Sequence, residues 1–447
     1  MSDIDLPYAV PPRRSVQITD APVEYPLAQA ARLASRFDVP TPLETYDFPE
    51  KGNINQHTFV VVSGRSGSGR DYLLQKINQQ VFVKPRSVMA AMTACIAAQN
   101  RALAAGLLGS DPEWEAICLL PTRDARPYLD LQDRRGESVW RLMVKIPESR
   151  TFKSLSEIPD PSERMAVARE AGRGLALFGD MTADMDVTGL ANPLPGYRNT
   201  RVYYAQLHSV LQGNRTPEAV GDALPADPEL RASTERHFLV HIPEAEYRKR
   251  TQDPSVRPYI DLALQQEEFG LTLSRAMETG RIRTVAIHGD TKLDNFLFST
   301  RTGRVKALID LDTIMPHTWL SDWGDMIRSL SNVAGEKEAD LERVQVDIGI
   351  FRAVAEGFLG AASAVTDEEV GLMVDAVRIL ALELGVRFLA DYLRGDSYFR
   401  LGPADPVDLN KTRAMVQLTL FQRLGACRGE LQRIIDELRA RGGRAHA

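Results

Sequence analysis

Residues 285–298, VAIHGDTKLDNFLF, constrain this chain more than any other stretch. The run goes from apolar to polar and back. Val285 and Ile287 read as one short strand, and Phe296, Leu297 and Phe298 open another. Between them lies the loop HGDTKLDN, with Asp290 near its start and Asn295 five residues later. The segment VKALIDLDT (305–313) then predicts a third short strand that ends at Asp310. Short strands joined by a polar loop and a tight return do not fit a doubly wound sheet, which alternates strand and helix throughout.

The flanking sequence sets the rest of the architecture. Residues 1–23 are Pro-rich and polar and read as a loose tail. YPLAQAARLASRF (25–37) has helical spacing and is closed by Pro40 and Pro42. HTFVVVSG (57–64) and YLLQKI (72–77) read as strands joined by the turn GRSGSGRD. A helix follows Pro85. EWEAICLLPT (113–122) and SVWRLMVKIP (138–147) read as further strands, with the charged hairpin DLQDRRGE between them. VKIPESRTF (144–152) reads as a hinge and residues 161–181 as an amphipathic helix. Residues 213–230 read as a loop-rich insertion, and one long helix is expected from Pro254 to Gly280. Beyond 340 the pattern is almost entirely helical. The fold class is therefore α+β. The boundaries expected are a tail at 1–23, a sheet-rich lobe at 24–147 and a helical lobe at 148–447.

At 447 residues, with 44% hydrophobic and 26% charged, the composition is that of a globular protein. A net charge of −6 gives no electrostatic case for nucleic acid or an anionic membrane as partner. Three cysteines far apart make no metal or disulfide framework, and no apolar run approaches about 18 residues. A cytoplasmic location and a small-molecule partner are expected.

The residue types in the central stretch suit phosphoryl transfer. A loop carboxylate such as Asp290 can accept the proton of an acceptor hydroxyl. Asn295 and Asp310 offer neutral and charged oxygens of the kind Mg²⁺ takes, alongside water and phosphate. Lys292 could meet the transferring group, or be a solvated loop lysine. Asp312 lies two residues beyond Asp310, as a metal-side group or a structural acceptor. Asp322 and Asp325 open the next helix; Asp322 reads as an N-cap or as a tie to the loop backbone. His288 reads as a buried hydrogen-bonding residue rather than a base. GRSGSGRD lacks the Lys and hydroxyl of a phosphate-binding P-loop, so GNIN (52–55), with Gly52, Asn53 and Asn55, is the better candidate for a backbone near a nucleotide.

HGDTKLDN…LIDLD resembles the HxDxxxxN and IDxD signatures of the aminoglycoside phosphotransferase and choline kinase superfamily. The longer run HGDTKLDNFLF…ALIDLDTIMP…SDWGDMIRS is similar to that of the N-acetylhexosamine 1-kinases. So are GNINQHTF, YLLQKINQQVFVKP, LPGYRNT and GVRFLADYLRGDSYF. These blocks span about residues 52–399. The resemblance implies a protein-kinase-like two-lobed fold with a small antiparallel-sheet N-lobe and a large helical C-lobe. It implies ATP and Mg²⁺ as cofactors, Asp290 as catalytic base, Asn295 and Asp310 as metal ligands, and residues 144–152 as the adenine-facing hinge. It implies substrate contacts near Tyr197, Arg198, Asn199, Arg387, Asp391 and Tyr392. The expected reaction is phosphorylation of the anomeric hydroxyl of an N-acetylhexosamine-type sugar. An aminoglycoside, an amino alcohol or another sugar is the alternative acceptor. Kinases of this type pair a strand lysine with a helix acid. Lys76 is the natural lysine, yet no Asp or Glu occurs from Tyr72 to Ser110. A catalytically idle nucleotide-binding protein on the same fold has that gap as its only support, and the complete set Asp290, Asn295 and Asp310 opposes it.

Overall fold

A computed structural model describes residues 26–49, 54–55, 57–64, 70–109, 113–133, 136–399, 401–402 and 404–445. The N-terminal tail, Gly52, Asn53 and most of the GRSGSGRD turn lie outside the described residues. The chain divides into two compact units. A sheet unit holds Met1–Thr151, Asp184–Leu194 and Asn295–Met315; a helical unit holds Phe152–Ala183, Pro195–Asp294 and Pro316–Ala447.

The sheet unit is built on five antiparallel strands, β1 (Leu43–Asp47), β2 (Thr58–Ser63), β3 (Arg70–Lys76), β4 (Leu129–Asp133) and β5 (Gly136–Val144), in the order β1-β2-β3-β5-β4. Side chains alternate between the faces. One face carries Phe59, Val61, Tyr72, Leu74, Trp140 and Leu142, which pack with Ala30, Leu33, Ala34 and Phe37 of the first helix, Pro26–Ala34, and its end. The other carries Tyr46, Val60, Val62 and Leu73. The helix Pro85–Ala104 has proline in its first turn and buries Val88, Met89, Met92, Cys95 and Ile96, a helical stripe. A second small sheet pairs β6 (Ser149–Arg150) with β8 (Phe296–Ser299), and β8 with β9 (Val305–Leu308).

The helical unit starts with Pro161–Thr182, whose Asp160 caps the Ser162 N–H. This helix crosses Ile348–Leu359 at glycine: a Cβ on Gly357 would lie 1.8 Å from the Arg169 carbonyl oxygen, and one on Gly172 2.1 Å from that of Val354. Only hydrogen at these two positions lets the backbones approach so closely. Trp319–Ser331 meets Met373–Arg394 in the same way, where a Cβ on Gly324 would lie 2.8 Å from the Ala376 oxygen. β7 (Val285–Ile287) packs against Pro161–Thr182 and Trp319–Ser331 and leads into the loop. Among the described residues no helix is long and apolar enough to cross a membrane.

Four sequence expectations need correction. The fourth strand is Leu129–Asp133, which runs into the segment read as a hairpin turn, and 113–122 forms only isolated bridges, Leu119 to Met143 and Thr122 to Phe37. One edge of β5 is shared: its first half pairs with β4, while Leu120 donates to Leu142 O at 2.8 Å and Glu115 turns off to Lys306 O at 2.7 Å. The helix expected from Pro254 is broken into Arg257–Gln265, Glu267–Gly270 and Thr272–Glu278. The loop-rich insertion contains helical turns at Pro217–Val220 and Pro228–Thr234. The unit boundary falls after Thr151 rather than 147, and Asn295–Met315 packs with the sheet unit, since β6 of the expected hinge pairs with β8.

Candidate active site

In the helical unit the loop after β7 is fixed by one carboxylate. Asp322 accepts from the His288 N–H at 2.6 Å and from the Gly289 N–H at 2.8 Å. The Thr291 hydroxyl donates to the Asp322 carbonyl at 2.7 Å. Asp322 is therefore not the N-cap of its helix; Thr318 is, accepting from the Leu320 N–H. Burial pushes the Asp322 carboxyl up to about 7, against the pull of the two backbone donors and Arg198. Three residues on, burial would also raise Asp325, but Arg328 and Arg198 override it and hold it at about 2. Arg198 donates to Asp325 at 2.8 Å and to the Gly289 carbonyl at 3.2 Å. The Tyr197 hydroxyl donates to the same carbonyl at 2.7 Å. Gly289 is thus held at both its N–H and its C=O, with φ +83°, and the next residue is Asp290.

His288 is fully buried, and its Nδ1 accepts from the Asp290 N–H at 3.3 Å, so the ring shapes the turn. Asp290 is partly exposed. Lys292 Nζ lies 3.2 Å from its carboxylate and 3.9 Å from that of Asp294. A partly exposed carboxylate on a fixed backbone, with an ammonium beside it, can accept a hydroxyl proton and stabilise charge building on a transferring group.

In the sheet unit, Asn295 immediately precedes β8 and Asp310 follows β9. Phe296 pairs with Leu308, and Ile309 N–H donates to the Asn295 carbonyl at 2.8 Å, so both residues lie at one end of the hairpin. Asp310 is left-handed, with φ +63°, and opens the short turn Leu311–Thr313. Among the described residues no group of three or more His, Cys, Asp or Glu could hold a metal. One amide and one carboxylate at a hairpin end nevertheless fit Mg²⁺, which fills most of its shell with water and phosphate. Asp312 points elsewhere: its buried carboxylate pairs with Arg141 and accepts from Asn55.

Other expected residues are engaged differently. Lys76 pairs across strands with Trp140, on the face of Leu74 and Tyr72, and makes no ion pair among the described residues. Gln75 pairs with Arg141 on the opposite face. The Asn55 side chain is consumed by Asp312 and the Asn78 N–H. Asn199 caps the helix Thr200–Leu211. Asp391 is fully buried and accepts from Arg394, from the N–H groups of Ser397, Tyr398 and Phe399, and from Asn410, which leaves its carboxylate no capacity for a substrate. The Tyr392 ring stacks under Arg250 at 4.6 Å. Arg387 is different. Its guanidinium lies 4.8 to 5.6 Å from the rings of Tyr203, Phe399, Tyr197 and Tyr398, with no ion pair among the described residues. Sequence reasoning missed Arg141, whose one signal is a lone charge inside the apolar run VWRLMV.

The model of the phosphotransferase enzyme family matches residues 46–349. A microcompartment-associated aminopropanol kinase shares the fold at a TM-score of 0.50, with 13% identity over 90% of this chain and 98% of that one. An ethanolamine kinase from Plasmodium vivax matches at a TM-score of 0.42, with 11% identity over 84% of this chain and 82% of that one. An aminoglycoside phosphotransferase solved as a streptomycin–ATP ternary complex matches at 0.42, with 12% identity over 90% and 99%.

Proposed function

The chain belongs to the phosphotransferase enzyme family, and from that premise we propose that it moves the terminal phosphoryl group of ATP to the anomeric hydroxyl of an N-acetylhexosamine-type sugar. Membership makes it an enzyme that phosphorylates a small-molecule hydroxyl. The acceptor, the metal and the residue roles are our reading.

The observation that carries the reading is the clamp on Gly289, which presents Asp290 on a backbone fixed by Asp322, Arg198 and Tyr197. Asp290 accepts the acceptor's hydroxyl proton. Lys292 moderates the negative charge that develops beside it. Asn295 and Asp310 would hold Mg²⁺, which when bound would supply positive charge to the phosphates. Phosphoryl transfer needs little covalent participation from the protein, so positioning and electrostatics account for most of the rate.

The surroundings of Tyr197 support a neutral hydroxylated acceptor. The carboxylates nearby are already matched: Asp325 by Arg198 and Arg328, and Glu383 by Thr200 and Arg198. What is left is Arg387 among aromatic rings, a surface that suits the apolar face and hydroxyls of a sugar better than an ammonium. An amino alcohol or aminoglycoside acceptor is the second reading, resting on the acceptors of the similar kinases. ADP release measured across sugars, amino alcohols and aminoglycosides separates the two, with ³¹P NMR of the product. A sugar 1-phosphate is the expected product. Turnover confined to cationic acceptors refutes the sugar reading.

A further inference from the structure

Five residues, spread between positions 55 and 312, close a hydrogen-bonded ring inside the sheet unit. Asn55 Nδ2 donates to Asp312 Oδ2 at 2.6 Å, and Arg141 Nη1 donates to Asp312 Oδ1. Arg141 Nε donates to Gln75 Oε1 at 3.0 Å. Gln75 Nε2 donates to Thr58 Oγ1 at 3.1 Å, and the Thr58 hydroxyl donates back to the Asn55 carbonyl at 2.8 Å. The Arg141 and Asp312 side chains are 2% and 3% exposed.

The ring joins three places. Asn55 belongs to the loop that enters β2. Gln75 and Arg141 are a cross-strand pair on the sheet face opposite Lys76 and Trp140. Asp312 lies in the turn that follows left-handed Asp310. A buried ion pair is a weak source of stability, because a well-packed apolar pair does as well. Its geometric effect is specific: both Asp312 oxygens are held, so the turn beside Asp310 has one position relative to the sheet and the loop.

We propose that this ring is the positioning device of the nucleotide and metal side of the site. Arg141 and Asp312 do the work that a strand lysine and a helix acid do in kinases of related fold. The ring couples the loop before β2 to the turn that carries Asp310. Lys76 has no part in it. The inference rests on the phosphotransferase reading, since it assigns Asp310 to Mg²⁺ and the loop to the nucleotide.

The test uses the full chain with Arg141→Lys and Asn55→Ala, and Leu142→Ala as a packing control on the opposite face of β5. Melting temperature is measured, and ATP binding is followed by calorimetry without acceptor across a Mg²⁺ titration. Arg141→Lys and Asn55→Ala should raise the Mg²⁺ concentration for half-maximal ATP binding about tenfold, the size of a typical coupling between sites. They should lower kcat without raising the acceptor KM. Leu142→Ala should lower the melting temperature and leave the Mg²⁺ requirement where it was. If the ring variants lose melting temperature alone, the ring is structural and the proposal falls. Should Arg141→Lys not fold, Asn55→Ala decides alone, since it removes one neutral arm. A wild-type chain that binds no ATP at any Mg²⁺ concentration refutes the phosphotransferase reading and takes this inference with it.

Discussion

The Asp290 loop and the Asp310 turn are held by opposite means. The loop is held through its backbone: Asp322 takes two N–H groups, and Tyr197 and Arg198 take one carbonyl. The turn is held through a side chain, Asp312, gripped by Arg141 and Asn55. A backbone clamp fixes where the next side chain emerges but leaves that side chain exposed to act. A buried side-chain anchor fixes a whole turn against a sheet and tolerates little change in its own partners. The loop should therefore be most sensitive to loss of an acceptor, and the turn to loss of a particular donor geometry.

Among changes to the groups that hold the loop and the turn, the largest effect should come from breaking the loop clamp. Asp322→Ala leaves two buried N–H groups unpaired, each costing about 1–3 kcal/mol, and lets Asp290 drift. Stability should fall by about 3 kcal/mol and kcat by about 10²-fold, with ATP affinity much less changed. Denaturant unfolding and initial rates check this. A normal kcat with reduced stability would mean the clamp serves the fold alone.

A middle-sized effect lies in pH. The Asp325 carboxyl, held down at about 2, contributes stability that is present above its ordinary value of 3.8 and is lost as pH falls from there. Asp322 works in the other direction. Raised from 3.8 to about 7, it favours the folded state when protonated, and that contribution is lost as pH rises through this window. Asp322→Asn should flatten the stability profile between about pH 4 and 7, and Asp325→Asn should flatten it below about pH 4. Unfolding free energy measured at each pH would show it; identical slopes in both variants and wild type would contradict the assignment.

The smallest effect should be that of Lys76→Met. With Lys76 on the far face from Arg141, the Mg²⁺ concentration for half-maximal ATP binding should change by less than about threefold, against about tenfold for the ring variants. A larger loss at Lys76 than at Arg141 would reverse the comparison of the two sheet faces.

The contrast also explains what the sequence could tell. The loop was legible because its parts are local: Asp290, Lys292 and Asn295 occur within six residues, and Asp310 follows one hairpin later. The β2–β3 hairpin and the first helices were legible from periodicity. The ring was not, since Asn55 and Asp312 are 257 positions apart and nothing in either neighbourhood names the other. The lysine illustrates a narrower limit. Alternation tells that Gln75 and Lys76 face opposite ways, but not which face the first helix covers. That depends on Ala30, Leu33 and Phe37 finding Trp140 and Leu142. Asp391 was named only through the resemblance of its block, GVRFLADYLRGDSYF; its saturation comes from the turn after its helix, which returns three N–H groups to it.

The central claim is that Asp290 accepts the acceptor's proton from a backbone that does not depend on it. Asp290→Asn tests this most directly, through ADP release with the best acceptor alongside ATP binding and melting temperature. Turnover should fall by about 10³-fold or more while ATP affinity and melting temperature stay near wild type. Turnover close to wild type in that variant would contradict the account.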